Sequence, residues 1–319
     1  VVMLSDWSFE DPETIFANIK RSGDYYNYQK RTVWDFFNDV SDKGLGNTLN
    51  ERMMWGKMRM SPVDLADVTS ATYTYLMNGN SPQMNWTGIF NPGETVRLRF
   101  INAAAMSTFD VRIPGLDMKV VMVDGKKVKP VNFHEFRIGV AETYDVLVTP
   151  RADRPFTIFA ESLDRGGYAR GTLSPEPGLS AAIPPLRPRP VRKMEDIGMM
   201  AGMDMGSGKI MNMDATKEAM GSAGHGGMDH TMNEPNNLPD KSRSNVVMVI
   251  KNPKDRLADP GIGLGKDGWK VLTYKDLASN EPQPYKADVD REMTINLTAN
   301  MERYMFSFDG KKYSEQDGP

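Results

Sequence analysis

Between residues 73 and 161 the chain alternates short apolar–polar runs with glycine and proline turns, and no other pattern limits its fold as tightly. Residues 72–77 alternate and stop at Asn78-Gly79-Asn80. Asn91-Pro92-Gly93-Glu94 launches residues 95–101, where Val96, Leu98 and Phe100 share one face because strand side chains alternate. Residues 109–113 end at Pro114-Gly115 and residues 118–123 at Asp124-Gly125; runs at 133–138, 144–148 and 156–161 follow. Short strands with a turn about every 8–12 residues predict an antiparallel sandwich or barrel. Ahead of them, residues 1–7 predict a buried strand. Asp11 as N-cap with Pro12 in the first turn predicts a helix over 13–21. A second helical stretch is expected over 49–58, and Ser61-Pro62 announces a short helix reaching Val68.

Downstream the texture changes. Residues 182–190 (AIPPLRPRP) hold four prolines and predict a stiff, extended linker. Residues 235–244 are polar, and strand signatures resume at 245–251 and 292–297. The expected organisation is a β domain over 1–181, a Pro-rich then Met-rich flexible linker over 182–244, and the N-terminal part of a further β domain over 245–319. The chain opens on Val1-Val2-Met3-Leu4 and stops soon after a strand and turn, so it reads as an internal segment of a longer protein.

Charge is balanced, with 39 basic against 42 acidic residues, which gives no reason to expect nucleic acid as a partner. No apolar run approaches the roughly 18 residues of a membrane span. Cysteine is absent, which removes disulfides, thiolate nucleophiles, thiolate zinc sites and blue-copper centres of the His–Cys type. Three histidines, two of them in a glycine-rich stretch, support no Ser-His-Asp arrangement. His134 lies alone between aromatics in a strand and reads as a structural histidine.

Methionine is the anomaly. Ten of the 24 fall between Met194 and Met232, about five times the density elsewhere. A hydrophobic core would bring Leu, Val and Phe with it, and this stretch has only Ile197 and Ile210 of that kind. Thioether sulfur is a soft ligand suited to Cu(I), which tolerates varied geometry. The candidate ligands are Met199, Met200, Met203, Met205, Met211, Met213, His225, Met228, His230 and Met232. Six carboxylates against two lysines give the stretch a net charge of −4, which concentrates cations. A passive low-complexity linker and an adaptable Met surface for a partner stay open as alternatives.

The β region resembles the middle domain of the multicopper oxidases. The likeness is carried by Tyr75-Leu76-Met77-Asn78-Gly79, by residues 93–104 (GETVRLRFINAA), by residues 123–130 (VDGKKVKP) and by residues 142–148 (ETYDVLV), with Leu4-Ser5-Asp6-Trp7 before them. A Met-rich insertion at this place, followed by residues 300–310 (NMERYMFSFDG), is similar to the bacterial copper-resistance protein A branch. The resemblance implies an all-β, cupredoxin-like Greek-key sandwich with short helices, the second domain of three, plus the start of a further cupredoxin domain. It implies a periplasmic oxidase that takes electrons from Cu(I) or a phenol and reduces O2 to water. Its partners would be copper ions and the remaining cupredoxin domains. The chain departs from the family's pattern: Ala141-Glu142-Thr143 stands where the family has Gly-Gln-Arg, and there is no His-x-His pair and no cysteine. The type 1 and trinuclear coppers would then be held outside these residues, and the segment alone would be inactive. A non-catalytic periplasmic protein that sequesters copper is the alternative.

Overall fold

The computed structural model describes residues 1–57, 60–197, 255–282, 291–300 and 305–315. They divide into two compact units. The first comprises Val1–Arg192 with Asp255–Asp288, and the second Lys193–Lys254 with Val289–Pro319.

The first unit is a two-sheet sandwich. Its strands are β1 (Val2–Ser8), β2 (Tyr73–Met77), β3 (Trp86–Ile89), β4 (Val96–Asn102), β5 (Phe109–Arg112), β6 (Met118–Val123), β7 (Lys126–Phe133), β8 (Glu135–Ile138), β9 (Thr143–Val148), β10 (Phe156–Ser162), β11 (Tyr168–Ser174) and β12 (Val271–Leu272). One sheet runs β2-β1-β4-β9-β6-β7 and the other β12-β8-β5-β10-β11-β3. This all-β architecture is cupredoxin-like, as expected, with one difference: the sheets are mixed. β1 pairs with β4, β11 with β3, and β12 with β8 in parallel.

The alternation read from the sequence puts Leu98 and Phe100 of β4 into the core and leaves Arg97 and Arg99 outside. Phe136 sits at the centre, its ring 5.3 Å from Phe100, 5.7 Å from Phe133 and 5.0 Å from Tyr144. Burying each such side chain contributes roughly 1.5–3 kcal/mol. The run at 133–138, expected as one strand, is split. β7 ends at Phe133 in one sheet and β8 begins at Glu135 in the other, with His134 at the crossing.

Three helices follow β1: α1 (Pro12–Arg21), α2 (Val33–Lys43) and α3 (Leu45–Lys57). The Asp11 side chain accepts from the Thr14 N–H, as its N-cap position predicts. Thr32 and Asp35 form a capping box that starts α2, an element the sequence reading did not foresee. Residues 61–68 do not form the expected helix. Their turns are held instead by Asn27, whose Nδ2 donates to the Val63 carbonyl at 3.2 Å, with Val63 and Val68 buried.

In the second unit the described residues include a hairpin of β13 (Leu297–Asn300) and β14 (Met305–Phe308), with Leu297 opposite Phe308. The strand expected over 292–297 therefore starts only at Leu297; Asn296 before it is tied to Asp309 by backbone and side-chain bonds. The run at 245–251 lies outside the described residues.

Candidate functional site

The second sheet is buried on both faces. Phe156, Ile158 and Ala160 of β10 belong to the core, so Thr157, Phe159 and Glu161 point the other way, yet they too are buried. Two segments account for this. Residues 182–192, expected as a linker, and residues 255–282, expected in a further domain, both belong to the first unit.

Under these segments lies a network of charge. Asp110, Glu135 and Glu161, on three neighbouring strands, are fully buried. Arg137 grips Asp110 with two bonds of 2.8 and 3.0 Å, and Arg165 approaches the same carboxylate at 2.6 Å. Arg112 donates to Glu161 at 2.9 Å while its guanidinium lies 4.8 Å from the centre of the Phe159 ring. Arg187 comes from the proline-rich segment. It holds both oxygens of Glu135 at 2.6 and 2.8 Å, its backbone N–H donates to Glu161 at 2.7 Å, and its Nε reaches Asp267 at 2.8 Å. Burial pushes the Glu135 carboxyl above its ordinary range, against the pull of Arg187. For Arg187 burial acts to lower the value, but the contacts with Glu135 and Asp267 outweigh it and hold the guanidinium protonated. Every carboxylate is taken by a guanidinium, so the network offers no spare oxygen to a metal. Its chemistry is that of a clamp.

An open cleft of about 380 Å3 adjoins it, with Asp117, His134, Asp267 and Trp269 among its lining residues. His134 Nδ1 accepts from the Lys270 N–H at 3.0 Å, and Nε2 stands 3.2 Å from Asp117. Both ring nitrogens are engaged, and the His134 N–H donates in turn to the Lys270 carbonyl. His134 thus ties the return segment to the β7–β8 crossing.

The ten sequence-derived candidates, Met199, Met200, Met203, Met205, Met211, Met213, His225, Met228, His230 and Met232, all lie outside the described residues. Among the described residues no three His, Asp or Glu side chains gather as metal ligands. The chain has no cysteine, so a type 1 copper does not fit its donor set, and without a His-x-His pair a trinuclear cluster does not either. Sequence reasoning missed the charge network. A signal was present: Asp110, Arg112, Glu135, Arg137 and Glu161 interrupt otherwise apolar strands at positions of one phase. Charges on a strand face stay buried only when paired.

A multicopper oxidase family model matches residues 1–178. The copper resistance protein A homolog of Pseudomonas syringae pv. tomato is 51% identical over 99% of this chain and 55% of its own length. Copper resistance protein A of Escherichia coli is 48% identical over 99% of this chain and 56% of its own length. The chain thus spans a little over half the length of these curated relatives. It belongs to the multicopper oxidase family and is a relative of the copper resistance protein A members.

Proposed function

We propose that this chain is the copper-handling central portion of a periplasmic copper-resistance oxidase, and that its Met-rich stretch binds Cu(I). The observation that carries the reading is ten methionines and two histidines in an acidic stretch of 39 residues, within a chain of this family. Soft thioethers and imidazoles suit Cu(I), and a net charge of −4 draws the cation in. The whole protein oxidises Cu(I), or a phenol, and reduces O2 to water. This chain contributes collection of the ion and a cupredoxin-like scaffold for the remaining cupredoxin domains.

The test is competition for Cu(I) between the 319-residue chain and a chromophoric chelator. The chain is expected to withdraw copper, and a variant with Met199, Met200, Met203, Met205, Met211, Met213, Met228 and Met232 changed to Ser is expected to lose about tenfold or more in affinity. Equal competition by the two proteins refutes the site.

A second reading is copper sequestration without catalysis, for which the methionine and histidine donors of the stretch suffice by themselves. Oxygen consumption by the full-length protein supplied with Cu(I) separates the two: turnover supports the oxidase, and stoichiometric uptake without turnover supports sequestration.

A further inference from the structure

The chain leaves the first unit after Arg192 and re-enters it at Asp255. Both arms rest on the same sheet. On the exit arm, the Ala182 carbonyl accepts from Thr157 Oγ1 at 2.8 Å, Arg187 is seated on Glu135 and Glu161, and the Arg192 N–H donates to the Pro62 carbonyl at 2.7 Å. On the return arm, β12 extends the sheet by pairing with β8, and the Ile262 carbonyl accepts from Arg137 at 2.7 Å. The same arm runs on past the neighbouring sheet's edge, where Lys129 donates to the Ala278 carbonyl at 2.8 Å.

The arms also meet each other. Arg187 bonds Asp267 across the junction. A Cβ on Gly263 would stand only 2.7 Å from Pro190 Cγ, at a backbone φ of +82° that side chains rarely adopt. The glycine is what lets the return arm lie this close to the exit arm.

We infer that residues 193–254 are an insertion into one domain rather than a connector between two, and that Arg187 is the positioning residue that closes its base. One domain then comprises 1–192 together with 255–282, and the Met-rich stretch starts and finishes at one place on it. For its bearing on copper the inference rests on the Cu(I) reading above; the architecture does not.

The test cuts the stretch. A protease site placed between Gly221 and Ser222 is cleaved in the otherwise intact chain, and the products are sized in solution. The two halves are expected to elute together as one species of the uncut mass. R187A is expected to weaken their association by about tenfold or more, and D267N, which leaves Glu135 and Glu161 their partners, by about two- to fivefold. R187K keeps the charge but not the two-pronged geometry and is expected to recover part of the loss.

The chain lacks cysteine, so Cys substitutions at Val191 and Leu257 carry the only two thiols, and spin labels there report the junction directly. A narrow distance is expected in cut and uncut protein, broadened in D267N. Wild-type halves that part while each keeps its circular dichroism overturn the inference. Unchanged association and distance in D267N remove Arg187 from the role, even where R187A fails to fold. Chelator competition on the uncut chain keeps the two readings apart. Copper binding with parted halves sinks only the insertion, and co-eluting halves without copper binding sink only the copper site.

Discussion

On the outward face of the first sheet, Arg97 and Arg99 flank Asp145 with guanidinium side chains half exposed. On the outward face of the second, Arg112 and Arg187 flank Glu135 and Glu161, with arginines at most 14% exposed and carboxylates fully buried. The partners and distances are alike; the solvent is not. Asp145 itself is buried, but its two arginines reach half into water and salt, so each is screened and removing one leaves the other in place. In the second, removing one partner strands a charge in a low-dielectric interior. The same residue chemistry is therefore decoration on one face and a fastening on the other. What makes the difference is the chain that covers it.

That contrast orders the expected effects. Arg187→Ala should be the costliest change, about 3–5 kcal/mol by urea denaturation, and added salt should barely alter the loss. A cost below 1 kcal/mol would place Arg187 with the exposed group.

Next comes Asp64, whose carboxyl is pushed up to about 6 by burial and by Asp67, with Arg192 pulling the other way. The folded state then binds the proton more tightly than the unfolded chain, whose value is near 4. Stability should rise as pH falls through about 6 and level off below about 4. Asp64→Asn should remove this dependence and add about 1–2 kcal/mol at pH 7. A melting profile of the variant with the slope unchanged would contradict it.

Asp145 has the opposite sign. The hydrogen bond from Arg99 holds it below the usual carboxylate range, with Arg97 assisting against the effect of burial. Its contribution is present at neutral pH and is lost as pH falls through the lowered value. The smallest effect belongs to Arg99→Ala, a slight loss of stability largely erased in 1 M salt. A loss as large as that at Arg187 would mean that coverage is not what separates the two faces.

The sandwich was legible because its central strands carry both a period and a turn. Residues 95–101 and 118–123 became β4 and β6 with little change of bounds. β11 was hidden by its own composition. Its Gly171 has to be small, since a Cβ there would stand 2.6 Å from the Met77 sulfur and 2.9 Å from the Trp86 carbonyl oxygen. Such packing against β2 and β3 leaves no apolar signature. The covering arms were illegible for a different reason. β12 is two residues long, and the arms are held by backbone bonds and by single charges whose partners lie far off in sequence. Arg187 reaches residues 135, 161 and 267, and nothing in AIPPLRPRP foretells that. The ten copper candidates were named from composition alone and lie outside the described residues.

The most direct measurement of the central claim is X-ray absorption at the copper edge of the Cu(I)-loaded chain. A first shell containing sulfur is the predicted result. In a chain without cysteine that sulfur can come only from methionine. A shell of nitrogen and oxygen alone would contradict the account.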